Sequence, residues 1–75
     1  MQFDRQIDTR GTKCPMPVLK TKRALATMQP GEVLCVLATD PASVKDLAQF
    51  ATQTGHKVLA QEENAGEYIH YLQHK

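Results

Sequence analysis

The spacing of apolar and polar residues predicts six elements. Gln6-Ile7-Asp8-Thr9 alternates weakly and predicts a short first strand, ended by Arg10-Gly11. A helix is expected to begin at Cys14-Pro15, because the N–H that proline lacks has no intrahelical partner in a first turn. Val18, Thr21, Leu25 and Met28 recur at spacings of three and four and predict its buried stripe. Lys20, Lys22 and Arg23 face away, and Gln29-Pro30-Gly31 is expected to stop it. Glu32 to Ala38 is almost wholly apolar, the pattern of a central strand. A second helix opens at Thr39-Asp40-Pro41, with Asp40 as N-cap and Pro41 in first helical position. Val44, Leu47, Ala48 and Ala51 form its stripe, and Gly55 closes it. A third strand is expected from about His56 to Glu62. Glu63-Asn64-Ala65-Gly66 makes a hairpin turn, and a fourth strand runs from Glu67 to Gln73.

The order βαβαββ predicts an α/β (α+β) two-layer sandwich. Right-handed crossovers make the first three strands parallel and place both helices on one face of a mixed four-stranded sheet. Strand four is antiparallel, and the other sheet face is open. Tyr68, His70 and Leu72 are about as apolar as Ile69 and Tyr71, so the pattern does not choose which side of strand four faces inward. The chain of 75 residues is read as one domain, 1–75. A chain this short buries about 60% of its unfolded surface, so no large enclosed pocket is expected. Its longest apolar run, Val33 to Ala38, is far below the roughly 20 residues of a membrane helix. With charged residues near its start in place of an apolar leader, the chain reads as cytoplasmic.

Charge is unevenly spread. Residues 1–31 carry six basic residues against two acidic ones, and residues 32–75 carry three against six. Of the two cysteines, Cys35 lies mid-strand and reads as a small buried hydrophobe. Cys14 lies between Gly11-Thr12-Lys13 and Pro15-Met16-Pro17, a turn entering a helix, where a reactive thiol belongs. As N-cap its sulfur would meet the positive end of the helix dipole, with the Met16 N–H facing it, and would ionise more readily. Arg10 and Lys13 would add positive charge. Pro17 stands where a C-x-x-C motif would place a resolving cysteine, which disfavours dithiol redox chemistry. His56, His70 and His74 lack any spacing that ties them to Cys14, and the Cys and His residues lack zinc-site pairing, so neither metal nor cofactor is expected. A lone activated thiolate suits the carrying of a sulfur atom as a persulfide. A second reading is a non-catalytic module whose basic first helix contacts RNA or an acidic protein.

Asp8-Thr9-Arg10-Gly11-Thr12-Lys13-Cys14-Pro15-Met16-Pro17-Val18-Leu19-Lys20-Thr21-Lys22, with its C-P-x-P motif, resembles the signature of the TusA/SirA-like sulfur-carrier family. Ala38-Thr39-Asp40-Pro41 and Gly66-Glu67-Tyr68 are also similar, so the likeness covers nearly the whole chain. The resemblance implies a sheet order of 1-2-4-3. It also implies that Cys14 accepts sulfane sulfur from a cysteine desulfurase or rhodanese-type donor and passes it to a downstream sulfur-accepting protein, as in 2-thiouridine synthesis in transfer RNA or in sulfur oxidation. Neither membrane nor direct nucleic-acid contact is expected for such a carrier. On this reading Arg10 and Lys13 stabilise the anion or contact a partner. Gly11, Pro15 and Pro17 build the turn, and Met16 and Leu19 form an apolar docking spot. Gln49-Phe50-Ala51-Thr52 holds no cysteine, unlike carriers with a second thiol in helix two.

Overall fold

A computed structural model describes residues 2–75. The elements are β1 (Arg5–Asp8), α1 (Met16–Ala26), β2 (Val33–Ala38), α2 (Ala42–Thr54), β3 (Lys57–Asn64) and β4 (Glu67–Gln73). The sheet order is β1-β2-β4-β3, as the resemblance implies. β1 pairs parallel with β2, and β4 pairs antiparallel with both β2 and β3. The first three strands therefore share a direction. β2 is central in the sheet, and Leu34 and Val36 on its helix side and Cys35 on the other are all buried, in keeping with its unbroken apolar run.

The core lies between the helices and one sheet face. Leu25 and Ala24 of α1 meet Leu34 and Val36 of β2, Leu47 and Ala51 of α2, and Leu72 of β4. Ile7, Val18, Phe50 and Val58 pack around them. Each fully buried leucine contributes about 1.5–3 kcal/mol. Register resolves the face of strand four: Leu72 lies opposite Leu34 and His70 opposite Val36, both on the helix side. Tyr71 pairs with Cys35 on the far side, where Phe3 lies against it with ring centroids 6.3 Å apart.

The boundaries of both helices differ from the sequence reading. α1 starts after Pro15, so its N-cap is Pro15 and Cys14 lies outside the helix. The helix ends at Ala26, before Gln29-Pro30-Gly31 is reached. The Thr27 N–H bonds back to Ala24 O and the Met28 N–H to Leu25 O, so tighter bonds close the last turn. Pro17 joins the buried face, while Val18 is only half-buried. α2 starts after Pro41, yet Asp40 still caps it: its Oδ1 accepts the Ala42 N–H at 3.1 Å and its carbonyl the Ser43 N–H at 2.9 Å. β3 runs two residues further than expected, and the hairpin tightens to Ala65-Gly66, both with positive φ (52° and 85°). That is the two-residue turn whose twist suits a hairpin. A bulge interrupts β3 between Val58 and Ala60.

The Thr21 hydroxyl is buried under α1 without a hydrogen-bond partner among the described residues. A buried unpaired hydroxyl costs more than the methyl group that matches its shape. Thr21→Val is thus expected to stabilise the protein by about 1 kcal/mol, read as a higher urea midpoint at unchanged slope.

Candidate functional site

The loop from Thr9 to Cys14 is stitched to the carboxyl end of β2, and this fixes where the thiol stands. Thr9 is buried, and its N–H and Oγ1 both donate to Leu37 O, at 2.8 and 2.6 Å. Thr12 folds back onto Thr9 O through its N–H at 3.2 Å and its hydroxyl at 2.6 Å. Gly11, at φ 80°, takes a conformation that glycine adopts freely, and its N–H donates to Thr39 Oγ1 at 2.9 Å. The Cys14 N–H donates to Asp40 Oδ2 at 2.9 Å. One Asp40 carboxylate thus holds both the Cys14 loop and the first turn of α2. Lys13 to Met16 close a turn through the Met16 N–H and Lys13 O at 2.9 Å, with the Cys14–Pro15 peptide cis.

Cys14 is exposed and Cys35 buried, and both thiols are free. The surroundings of Cys14 correct two sequence expectations. First, the Met16 N–H is taken by Lys13 O and Cys14 is not the N-cap, so the sulfur lacks the backbone donor proposed for it. Second, the charges acting on it are negative. Asp46 lines the groove that Pro15, the residue after Cys14, also borders. The Asp46 carboxylate, then loss of hydration, then the charge of Asp40 push the thiol above its ordinary range. Each disfavours the thiolate.

Arg10 is turned elsewhere. Its Nε and Nη2 grip the two oxygens of Asp8, each at 2.9 Å, and Nη1 lies 3.6 Å from Glu67. The guanidinium holds the Asp8 carboxyl down at about 2. Lys13 is exposed, and the role seen for it here is structural, through its carbonyl. Pro15 is exposed at the helix entry and Pro17 is buried beneath it. Met16 and Leu19 remain exposed at 39% and 43%, so they are surface residues beside the thiol and not core. An open groove of about 260 Å³ runs alongside, lined by Pro15 and Val18 of the first helical region and Asp46, Gln49, Phe50 and Gln53 of α2.

The histidines stand apart from this loop. His70 is fully buried, with Nε2 2.9 Å from Ser43 Oγ and Nδ1 3.1 Å from Gln61 Nε2. Gln61 also donates to Val44 O at 2.8 Å, which fixes its amide and makes His70 Nδ1 the acceptor. Nε2 then carries the proton and donates to Ser43. His56 and His74 pack together with ring centroids 4.8 Å apart. Among the described residues no helix is long and apolar enough to cross a membrane.

Asp46 and Ser43 were not singled out from the sequence. Asp46 reads as an ordinary polar position of an amphipathic helix, and only the packing of α2 against the Cys14 loop gives it a role. Asp40 reads as a cap in the sequence, but its second oxygen serves a contact between elements that no local pattern encodes.

The family model described as Sulfurtransferase TusA matches residues 5–74. The chain is 46% identical over 70 residues to the sulfur carrier protein TusA of Allochromatium vinosum, across 93% of this chain and 91% of that one. It is 36% identical over 72 residues to the sulfur carrier protein TusA of Pseudomonas entomophila, across 96% and 90%. Among solved structures, a SirA-like protein from Desulfitobacterium hafniense superposes with a TM-score of 0.82 at 30% identity, covering 93% of this chain and 96% of that chain.

Proposed function

The chain belongs to the Sulfurtransferase TusA family, and we propose that Cys14 is the residue on which this sulfur carrier holds its cargo. The observation that carries this reading is the contrast between the two thiols: Cys14 is exposed on a pinned loop, while Cys35 is 2% exposed within the sheet. In the first step the Cys14 thiolate attacks the terminal sulfur of a donor cysteine persulfide. The bond from that sulfur to the donor cysteine breaks, the donor leaves as its thiolate, and Cys14 becomes the persulfide. The second step repeats the displacement, with an acceptor taking the outer sulfur and Cys14 leaving. Neither step changes the total count of electrons or calls for a cofactor.

The donor is taken to be a cysteine desulfurase or a rhodanese-type protein, and the setting the cytoplasm, where unpaired thiols persist. Specificity is assigned to protein contacts, since the groove beside Cys14 is open and small. The exposed Met16 and Leu19 supply an apolar contact at the rim of the thiol. Leu19→Asp is expected to slow uptake from a protein donor about tenfold, the loss typical of a central interface residue. Its effect on reaction with a small alkylating reagent should be far smaller.

Incubation with a desulfurase and cysteine, followed by peptide mass spectrometry without reductant, tests the assignment. The expected product is one added sulfur atom on the peptide holding Cys14. Added sulfur on the Cys35 peptide alone would overturn it.

A further inference from the structure

The end of β2 and the turn into α2 hold the Cys14 loop by anchors that follow one another along both segments. Leu37 O takes Thr9, Thr39 Oγ1 takes Gly11, and Asp40 Oδ2 takes the Cys14 N–H at 2.9 Å. The last of these lies on the residue that bears the sulfur, and Pro15 beyond it has no N–H to offer. Asp40 is itself fixed. Its Oδ1 accepts the Ala42 N–H at 3.1 Å and its carbonyl the Ser43 N–H at 2.9 Å. Ser43 is buried, with its hydroxyl 2.9 Å from His70 Nε2. A helix cap alone does not call for aspartate, since asparagine and serine cap about as well. Aspartate differs from both in having a second acceptor oxygen on a rigid carboxylate, and that oxygen is the one on Cys14.

We propose that Asp40 is a positioning residue for sulfur transfer: its second carboxylate oxygen holds the Cys14 main chain so that the sulfur meets an incoming persulfide along the bond it must break. This rests on Cys14 being the acceptor. Displacement at sulfur needs the attacking and leaving sulfur atoms in line with the one transferred, and a nucleophile on an untied residue reaches that line only rarely. Asp40 acts through the Cys14 main chain and takes no part in the exchange of bonds.

Asp40→Asn tests the proposal. It keeps one acceptor for the Ala42 N–H but sets an amide donor against the Cys14 N–H, while the Thr9–Leu37 and Gly11–Thr39 contacts keep the rest of the loop docked. Sulfur uptake from a desulfurase supplied with cysteine is followed against donor concentration. The saturating rate is expected to fall about tenfold, with the half-saturating donor concentration changed less than about twofold. Alkylation of Cys14 by iodoacetamide, a small reagent that can approach from many directions, should not slow. Hydrogen exchange at the Cys14 amide, followed by NMR, should quicken about tenfold while the Leu34 amide in the core is unchanged. Asp40→Ser also caps the helix but is too short to reach Cys14, and it should behave alike, so one poorly folding variant does not decide the matter. A wild-type saturating rate or unchanged Cys14 amide exchange in the folded variant overturns the proposal. So does an equal slowing of alkylation, or a change confined to the half-saturating concentration, which would make Asp40 a contact for the donor. Cys14→Ser is run alongside. Uptake that persists there sinks the carrier assignment, whereas uptake lost there and unchanged in Asp40→Asn sinks the positioning role alone.

Discussion

Cys14→Ser is expected to abolish sulfur uptake completely while leaving the fold in place. The thiol is exposed, so its packing contributes little. The contact that anchors the loop, Cys14 N–H to Asp40 at 2.9 Å, belongs to the backbone and survives the change. Stability should therefore stay within about 0.5 kcal/mol of wild type in urea unfolding. Cys35 offers no substitute: it is buried, and burial pushes its thiol up, which disfavours the attacking form. Mass spectrometry of the variant after treatment with a desulfurase and cysteine should show no added sulfur. A persistent adduct on the serine variant would remove Cys14 from the mechanism.

Acid is expected to cost the protein about 3 kcal/mol between pH 6.5 and pH 4 through His70, and the burial that also lowers His56 adds a loss of the same sign. Burial pushes this imidazole down from 6.5 to about 4, so the folded protein resists protonation in a range where the unfolded chain accepts it. The stabilising contribution is complete above 6.5 and is lost progressively as pH falls to about 4, below which both states are protonated. Structure gives the same direction. Nδ1 accepts from Gln61, and a proton added there would face an amide N–H donor with no acceptor in place. Asp8 does not confuse the measurement. Its carboxyl falls from 3.8 to about 2 in the folded protein, so its stability loss lies below this window. Urea midpoints for wild type and His70→Gln, taken at neutral pH and near pH 4, check the expectation. The variant should be less stable at neutral pH but should lose much less on acidification. An equal acid loss in both proteins would show that His70 is not the titrating group.

What the chain discloses locally and what it withholds follow from the range of the forces involved. The elements were legible because each buries a face at its own period: Leu25 on α1, Leu47 and Ala51 on α2, and the unbroken Val33–Ala38 run of β2. Turn chemistry was legible in Gly55 closing α2 at φ 87°, and in the hairpin near Glu63 to Gly66, although the structure tightens that turn to Ala65-Gly66. The inward face of β4 was not, because its two alternations are equally apolar and the choice is made by register against Leu34 and Val36. The position of Cys14 could be read from its neighbours in the chain. Its charged surroundings could not, because folding alone brings α2 and Asp40 to the loop and turns Arg10 onto Asp8. Adjacent positive residues in the sequence implied a positive site, but Arg10 is paired with Asp8 and Glu67 while Asp40 holds the loop.

The irregular outer strand β3 has a bearing on self-association. It is the longer of the two border strands, eight residues against four in β1, and its free backbone groups would invite another strand to add on. The kink at Val58–Ala60 and the exposed charges of Lys57, Glu62 and Glu63 spoil the flat ladder that such growth requires. Copies meeting edge to edge are thereby discouraged from zipping into fibrils, even when a carrier of this kind is abundant and crowded.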